Sequence, residues 1–528
     1  MFDLQIPVLT GIIFFPIFAC VCLFFFERPD RIRIFSLVVS LIEIVIALPL
    51  FGFKIGTAEF QFVERIPWMP DWGLEYYLGV DGISVLMVAL TIGILPLCVL
   101  CSWSYIEKRV KEFHFCLLFM SAACVGVFCA LDFVLFYVFW EAMLIPMYLL
   151  IAVWGGPERR YASIKFFLYT LAGSTLLLVA LIAFRISGGT FSIPELMQKS
   201  LSFRFQFWAF LAMAIAFAIK VPMFPFHTWL PAAHVEAPTA GSVLLASILL
   251  KMGTYGFLRF CLPLTPLASQ YFAPMMIAIS LASILYGGAV ALGQEDMKRI
   301  IAYSSVGHMG FVTMGIFLFN QRGVEGALFQ MLNHGITTGA LFMMVGTIYE
   351  RSHSRMVADN LGLSKYLPAY IGFFILFAFS SFGFPGTNSF VGELLVFIGA
   401  FQSKIWIGAA MVPGVLLAAA YMLRLTQKLA WGEPSSVKGW KDLNRREWAY
   451  LLPCAVFVIY IGLAPRVFFN TIDASVQGLI SDFRTRTANV YTSESMVQGP
   501  LQIAGEGQGM MIQGESKDLY RSSARGGI

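Results

Sequence analysis

Residues 218–240 read AIKVPMFPFHTWLPAAHVEAPTA, an apolar run that carries a lysine, Lys220, and then breaks its own helix twice. Pro222 and Pro225 have no backbone N–H, so a helix through them loses its bonds to the carbonyls of Ala218 and Val221. At membrane depth an interrupted backbone is tolerated only inside protein or beside a water-filled cavity. An ionisable residue at that depth points by default to a functional site. Lys220 and His227 are seven residues apart and are expected on one helix face. The stretch therefore predicts a hydrated, charged interior. A plain proline kink with a lysine snorkelling to the headgroups is the alternative, and it fits poorly with the depth of Lys220 in the run.

Composition sets the class around this stretch. The 528 residues are 58% hydrophobic and 13% charged, with a mean hydropathy of +0.77. Segments long enough to cross a bilayer must dominate such a chain. It carries no basic stripe of the kind nucleic-acid binding needs. Its nine cysteines lie mostly in apolar runs and read as packing residues; Cys98 and Cys101 have no second pair with which to build a tetrahedral metal site. The first 26 residues lack a basic leader and a cleavage site, and are expected to remain as a first span. Hydropathy predicts about fourteen spans, an all-α polytopic membrane protein. Basic residues collect after odd-numbered spans: Arg28, Arg31 and Arg33; Lys108, Arg109 and Lys111; Arg159 and Arg160; Lys298 and Arg299; Arg351 and Arg355; Lys438, Lys441, Arg445 and Arg446. These loops are expected in the cytoplasm, with both termini and the acidic, aromatic loop Glu59 to Tyr77 outside. After Asn470 the chain turns polar, the composition of a tail that cannot bury a core.

A second interruption echoes the first. Ser380 to Ser389, SSFGFPGTNS, breaks the twelfth span, and Glu393 follows two turns beyond Pro385. Pro225 and Pro385 are 160 residues apart, and Tyr169-Thr170 and Asn333-His334 are separated by 164. This suggests a repeated unit of five spans, which an odd number of crossings must invert, and paired broken helices in inverted repeats mark a transport pathway. The expected organisation is residues 1–112 for three helices and an outer loop, 113–261 and 262–430 for the two five-helix repeats, 431–469 for a fourteenth helix, and 470–528 for the tail.

The ionisable residues at membrane depth form a short set: Glu141, Lys220, Lys251 and Glu393, with His227, His308 and His334 in or beside spans seven, ten and eleven. Lys251 is about nine residues, roughly 13 Å, from either end of its span, a long reach for snorkelling. A charge at the bilayer centre costs about 2.5–3.5 kcal/mol on insertion scales, so four such residues need a purpose or mutual pairing. Glu141 and Lys220 could neutralise each other if spans five and seven touch, either as a structural ion pair or as one whose separation releases the lysine proton. Histidines can relay protons near neutral pH. His234, between Pro231 and Pro238, reads instead as a structural hydrogen-bonding residue, and His114 and His353 carry no assignment. The chain has no dinucleotide fingerprint, P-loop or cysteine cluster for iron–sulfur ligation, so the expected chemistry is proton or cation movement.

Five stretches carry a resemblance: Lys220 to Phe260, YLGVDGISVLM (Tyr77 to Met87), YSSVGHMGF (Tyr303 to Phe311), LNHGITTGALFMMVG (Leu332 to Gly346) and FGFPGTNSFVGE (Phe382 to Glu393). They resemble the antiporter-like membrane subunits of respiratory complex I, the proton-pumping NADH:quinone oxidoreductase, and Glu393 in the distal broken helix looks like the chain M, or mitochondrial subunit four, type. The resemblance implies fourteen helices with two inverted repeats, Glu141 and Lys220 as a coupling pair, Lys251 as the central relay and Glu393 as the terminal carboxylate. It also implies that His227, His308 and His334 line the water path. It implies no redox cofactor in this chain, with NADH, FMN, iron–sulfur clusters and quinone held by partner subunits. Other membrane and peripheral subunits would surround it, in the bacterial inner membrane or its mitochondrial equivalent. Two further readings are a subunit of a multisubunit Na⁺/H⁺ antiporter or membrane-bound hydrogenase, and a structural or quinone-binding subunit without ion flux.

Overall fold

The structure is a computed structural model that describes residues 7–433 and 439–497; Lys438 and residues 498–528 of the expected tail lie outside the described residues. Twelve helices among the described residues are long and apolar enough to cross a membrane. In chain order, α1 (Val8–Cys22) and α2 (Pro29–Ile46) precede a hairpin, β1 (Gln61–Met69) and β2 (Leu74–Val80). Then come α3 (Gly82–Cys101), α4 (Val110–Cys129), α5 (Phe133–Ala142), α6 (Leu144–Trp154) and α7 (Arg159–Gly188). Next are α8 (Phe203–Lys220), α9 (Trp229–Glu236), α10 (Thr239–Leu264), α11 (Pro266–Leu292), α12 (Met297–Phe317) and α13 (Gln321–Ser352). The series closes with α14 (Pro368–Ser381), α15 (Asn388–Ser403), α16 (Ile405–Trp431), α17 (Arg445–Leu463) and α18 (Arg466–Val497).

Both sequence breaks are structural breaks. The helix stops at Lys220, turns through Val221–Thr228 and resumes at Trp229; the second stops at Ser381 and resumes at Asn388. Neither proline can complete a ladder bond, and the turn uses other partners: Met223 N–H donates to the Ala218 carbonyl and Phe224 N–H to Ser283 Oγ. Lys220 and His227 consequently do not share a helix face, because the helix ends between them.

Burial sorts the helices by role. α10 is buried on every side and α12 nearly so, and α13 is buried from Gly323 to Ile348. α1, α2, α7, α11, α16 and α17 keep broad apolar faces exposed, as lipid-facing helices do. Close approach at the first break depends on Gly253: a Cβ there would sit 2.7 Å from Val221 Cγ2 and 2.9 Å from the Phe217 carbonyl oxygen. Side-chain caps fix several starts. Asp81 accepts from Ile83 and Ser84 N–H, Asp132 from Val134 and Leu135 N–H, and Asn444 forms a capping box with Glu447.

Two polar stretches carry more regular structure than their composition suggests. The loop from Glu59 to Tyr77 is mostly an antiparallel hairpin, with Arg65 opposite Tyr77 and bridged to Glu75 at 2.7 Å and Glu195 at 2.8 Å. The polar tail from Asn470 is, as far as Val497, part of a helix. Its average polarity hides an apolar stripe, Ile472, Val476, Ile480 and Phe483, buried at helical spacing. Ser475 Oγ accepts from Gly82 N–H, Gln321 donates to Asp473, and Arg486 donates to the Pro263 carbonyl, so this helix crosses the ends of α3, α13 and α10. The chain divides into a unit ending at Thr487 and a second beginning at Ala488.

Candidate functional site

Four of the seven candidate residues form one connected group. Lys251 is completely buried, and α10 widens into π turns on either side of it, at Leu245–Leu249 and Phe257–Cys261. Its ammonium donates to the Ala246 carbonyl at 2.5 Å and lies 2.7 Å from His334 Nδ1 on α13. The His334 ring is 5.8 Å, centroid to centroid, from that of His308 on α12. His308 Nδ1 is 3.1 Å from Glu393 Oε1 on α15, and Gln330 donates to the same oxygen at 3.1 Å. With the carboxylate facing Nδ1, His308 Nε2 is left to accept, and Tyr421 Oη lies 3.3 Å from it.

The second break holds this carboxyl. Gly383 adopts φ +73°, and a Cβ there would come within 2.7 Å of Glu393 Oε2, so only glycine satisfies both the turn and the space. Asn388 at the restart is gripped from two helices: its carbonyl accepts from Asn333, and its side chain accepts from Ser380 at 2.5 Å.

Lys220 forms a separate centre. Its ammonium lies 4.9 Å from the centre of the Trp140 ring and 3.6 Å from Met143 Sδ. Spans five and seven do touch there, Trp140 against Phe217 at 5.7 Å. Glu141 is an electrostatic neighbour of Lys220, yet no ion pair within 4.0 Å joins them among the described residues, and Glu141 Oε1 has no hydrogen-bond partner. A cation held by an aromatic face instead of a carboxylate is the geometry of the site as it stands. His227 is buried apart from both centres, between Phe224, Tyr286 at 4.9 Å and Tyr303.

Four polar residues escaped the sequence reading. His234 was expected to be a structural hydrogen-bonding residue; it is fully buried, stacked on Phe342 at 4.4 Å, and neither ring nitrogen has a partner. Lys251 and Lys298 are its electrostatic neighbours, which aligns it with the relay group instead. Glu43 is buried on α2 with only Ser121 Oγ, at 3.5 Å, beside it. Arg259 pairs with Asp81 at 2.6 Å deep in the protein. Tyr421 was one tyrosine among nineteen. A lone acid in LIEIVIALPL and a lone arginine in YGFLRF were the available signals for the second and third.

Comparison with known proteins follows this geometry. Residues 130–418 match the family model of the NADH:quinone oxidoreductase/Mrp antiporter membrane region, and residues 11–126 match the amino-terminal model of NADH-ubiquinone oxidoreductase chain 4. The chain is 47% identical over 455 residues to NADH-quinone oxidoreductase subunit M of Rhodobacter capsulatus, covering 83% of this chain and 88% of that one. It is 42% identical over 478 residues to NADH-ubiquinone oxidoreductase chain 4 of Arabidopsis thaliana, covering 89% and 97%. Respiratory complex I from Thermus thermophilus contains a chain that superposes with a TM-score of 0.84 at 30% identity, covering 90% of this chain and 99% of that one. The chain therefore belongs to the antiporter-like membrane subunits of NADH:quinone oxidoreductase, on the subunit M, or chain 4, branch.

Proposed function

We propose that this subunit translocates protons across the membrane as part of NADH:quinone oxidoreductase, along an axis of Glu141, Lys220, Lys251, His334, His308 and Glu393. The observation that carries the proposal is the connected group Lys251–His334–His308–Glu393, four ionisable side chains in sequence inside the helix bundle. Burial of that kind is costly, and the Lys251–His334 and His308–Glu393 contacts, 2.7 and 3.1 Å, are of a length that passes protons.

The direction of transfer follows from the partners. Lys220 lies on the Trp140 face without a carboxylate in contact. Approach of Glu141 stabilises the ammonium; retreat destabilises it and sends its proton toward Lys251. Lys251 passes the proton to His334 Nδ1 at 2.7 Å. His334 Nε2 has no protein partner, and one water between the rings carries the proton to His308. His308 delivers it to Glu393, from which it leaves outward. His234 beside Lys251 extends the axis toward Lys298 and the cytoplasmic end, while His227 lines the path only where water joins it.

Residues 113–261 and 262–430 act as two inverted five-helix halves, each with its broken helix, at Lys220–Trp229 and Ser381–Asn388. The energy comes from quinone reduction in partner subunits, which also hold NADH, FMN, the iron–sulfur clusters and quinone. The complex sits in the bacterial inner membrane, or its mitochondrial equivalent. Glu393→Gln keeps the shape and removes the proton-binding site. With the complex assembled, the reading expects NADH:quinone turnover and pumping to fall together, and wild-type pumping would refute it.

A further inference from the structure

Where α11 and α16 end and α12 begins, the protein carries a groove lined by none of the residues of the proposed proton axis. Its volume is about 390 Å³, and it lies between α11 and α16, two helices that keep broad apolar faces exposed. Leu292, Ile300, Val357, Leu361 and Leu425 form an apolar wall, and along α16 the groove runs from Tyr421 to Gly432, about 16 Å. Hydrogen bonds between its sides preform it. Arg424 Nη1 donates to the Leu292 carbonyl at 3.2 Å, Val357 N–H to the Glu295 carbonyl at 2.9 Å and Gly362 N–H to the Lys428 carbonyl at 3.3 Å. Arg424 and Lys428, four residues apart and so on one face of α16, share the groove with Glu295. No ion pair among the described residues involves any of these three, and the neighbouring Asp296 is already held by Arg355 at 2.7 Å. Trp431, 67% exposed and last in α16, sits where a tryptophan anchors a span at headgroup level.

We propose that this groove binds a phospholipid with a primary-amine headgroup, of the phosphatidylethanolamine class. The phosphate rests on Arg424 and Lys428, the ammonium on Glu295 and one acyl chain along the apolar wall. Basic pockets between spanning helices at the membrane surface recognise phosphate headgroups. A planar guanidinium suits two phosphate oxygens at once, and Arg424 spends one nitrogen on the Leu292 carbonyl and offers the others. Charge balance selects the amine. A phosphate diester alone satisfies the two cations but sets its negative charge against Glu295, whereas an ammonium two carbons away cancels that acid. A choline headgroup cannot donate a hydrogen bond to the carboxylate, and a glycerol headgroup has no charge to give it. A free phosphate would leave the apolar wall unused.

The test places the assembled complex in phosphatidylcholine vesicles that contain a trace of phosphatidylethanolamine with a diazirine on its acyl chain. After illumination the labelled peptides are mapped by mass spectrometry and normalised to intact complex. Label is expected in the wall peptides around Leu292 and Leu425, and excess unlabelled phosphatidylethanolamine should displace it. Phosphatidylglycerol should compete several-fold less well, and inorganic phosphate or phosphorylethanolamine not at all. Each basic residue beside an anionic headgroup is worth about fivefold in binding, so Arg424→Gln with Lys428→Gln should cut the label about thirtyfold. Leu425→Trp fills the groove and should remove the label as well. Glu295→Gln, at an exposed position, should keep the label and erase the preference for phosphatidylethanolamine over phosphatidylglycerol, which decides the matter even where the double variant fails to assemble. No label in either wall peptide of the wild type would show that a neighbouring chain covers the groove, and would overturn the proposal. So would label that survives the double variant, displacement by inorganic phosphate, or equal competition by phosphatidylglycerol in the wild type.

Discussion

Replacing Lys251 with methionine separates stability from transport. Methionine matches the length of the lysine stem and adapts to irregular packing. The substitution removes two hydrogen bonds, to the Ala246 carbonyl and to His334 Nδ1. Because His334 Nε2 already lacks a partner, the ring then has none, and leaving such a group unpaired costs about 1–3 kcal/mol. Against this, a lysine at the bilayer centre costs about 2.5–3.5 kcal/mol to insert, which the variant no longer bears. The two terms nearly cancel, so Lys251→Met should assemble to wild-type levels. Transport has no such compensation. A positioned proton carrier is worth about 100- to 10,000-fold in rate, and a thioether cannot carry a proton. Delivery from Lys220 to His334 should therefore drop at least about a hundredfold. The assay is NADH:quinone turnover with pumping in inverted vesicles, normalised to intact complex on native gels. An assembled variant that pumps at the wild-type ratio would refute the assignment of Lys251 as a relay.

Three other outcomes follow from the geometry. Arg259→Met leaves Asp81 buried without its cation, a loss of about 3–5 kcal/mol; intact complex should decline on mild heating, and adding Asp81→Asn, which keeps the helix cap, should recover most of it. Burial pushes the Asp132 carboxyl up to about 6. Its unfolded value is about 4, so between those values the folded chain binds more protons than the unfolded one and stability falls as pH rises. Melting of the complex across that window should show a shallower decline for Asp132→Asn than for wild type. Val476→Asp puts a charge in the buried stripe of α18 and should lower the amount of assembled complex, whereas the same change at exposed Ser481 should not.

The buried ionisable residues of the proposed axis could be read from the chain because each is an exception. A lysine or glutamate inside an apolar run is costly enough to stand out, and prolines in a span announce where the backbone opens. What the axis connects could not be read so easily. His308, His334 and Lys251 come from three helices, and their contacts depend on packing that residue spacing does not encode. Lys220 illustrates the limit: the chain offers Glu141 as its partner, and the fold puts the Trp140 ring and Met143 sulfur against the ammonium instead. Tyr421 could not stand out because tyrosine is ordinary in a span; only the His308 ring against its hydroxyl singles it out. The helix after Arg466 was hidden for the opposite reason. Its mean composition is polar, and four apolar residues at helical spacing decide where it binds.

The central claim is that the Lys220 centre and the Lys251–Glu393 group belong to a single proton path. The most direct measurement is proton pumping and NADH:quinone turnover in the same vesicles for Lys220→Ala, after the amount of intact complex is shown to be normal. The account predicts that both collapse together. Turnover and pumping that persist near wild-type levels would show the buried charges to be structural and would contradict it.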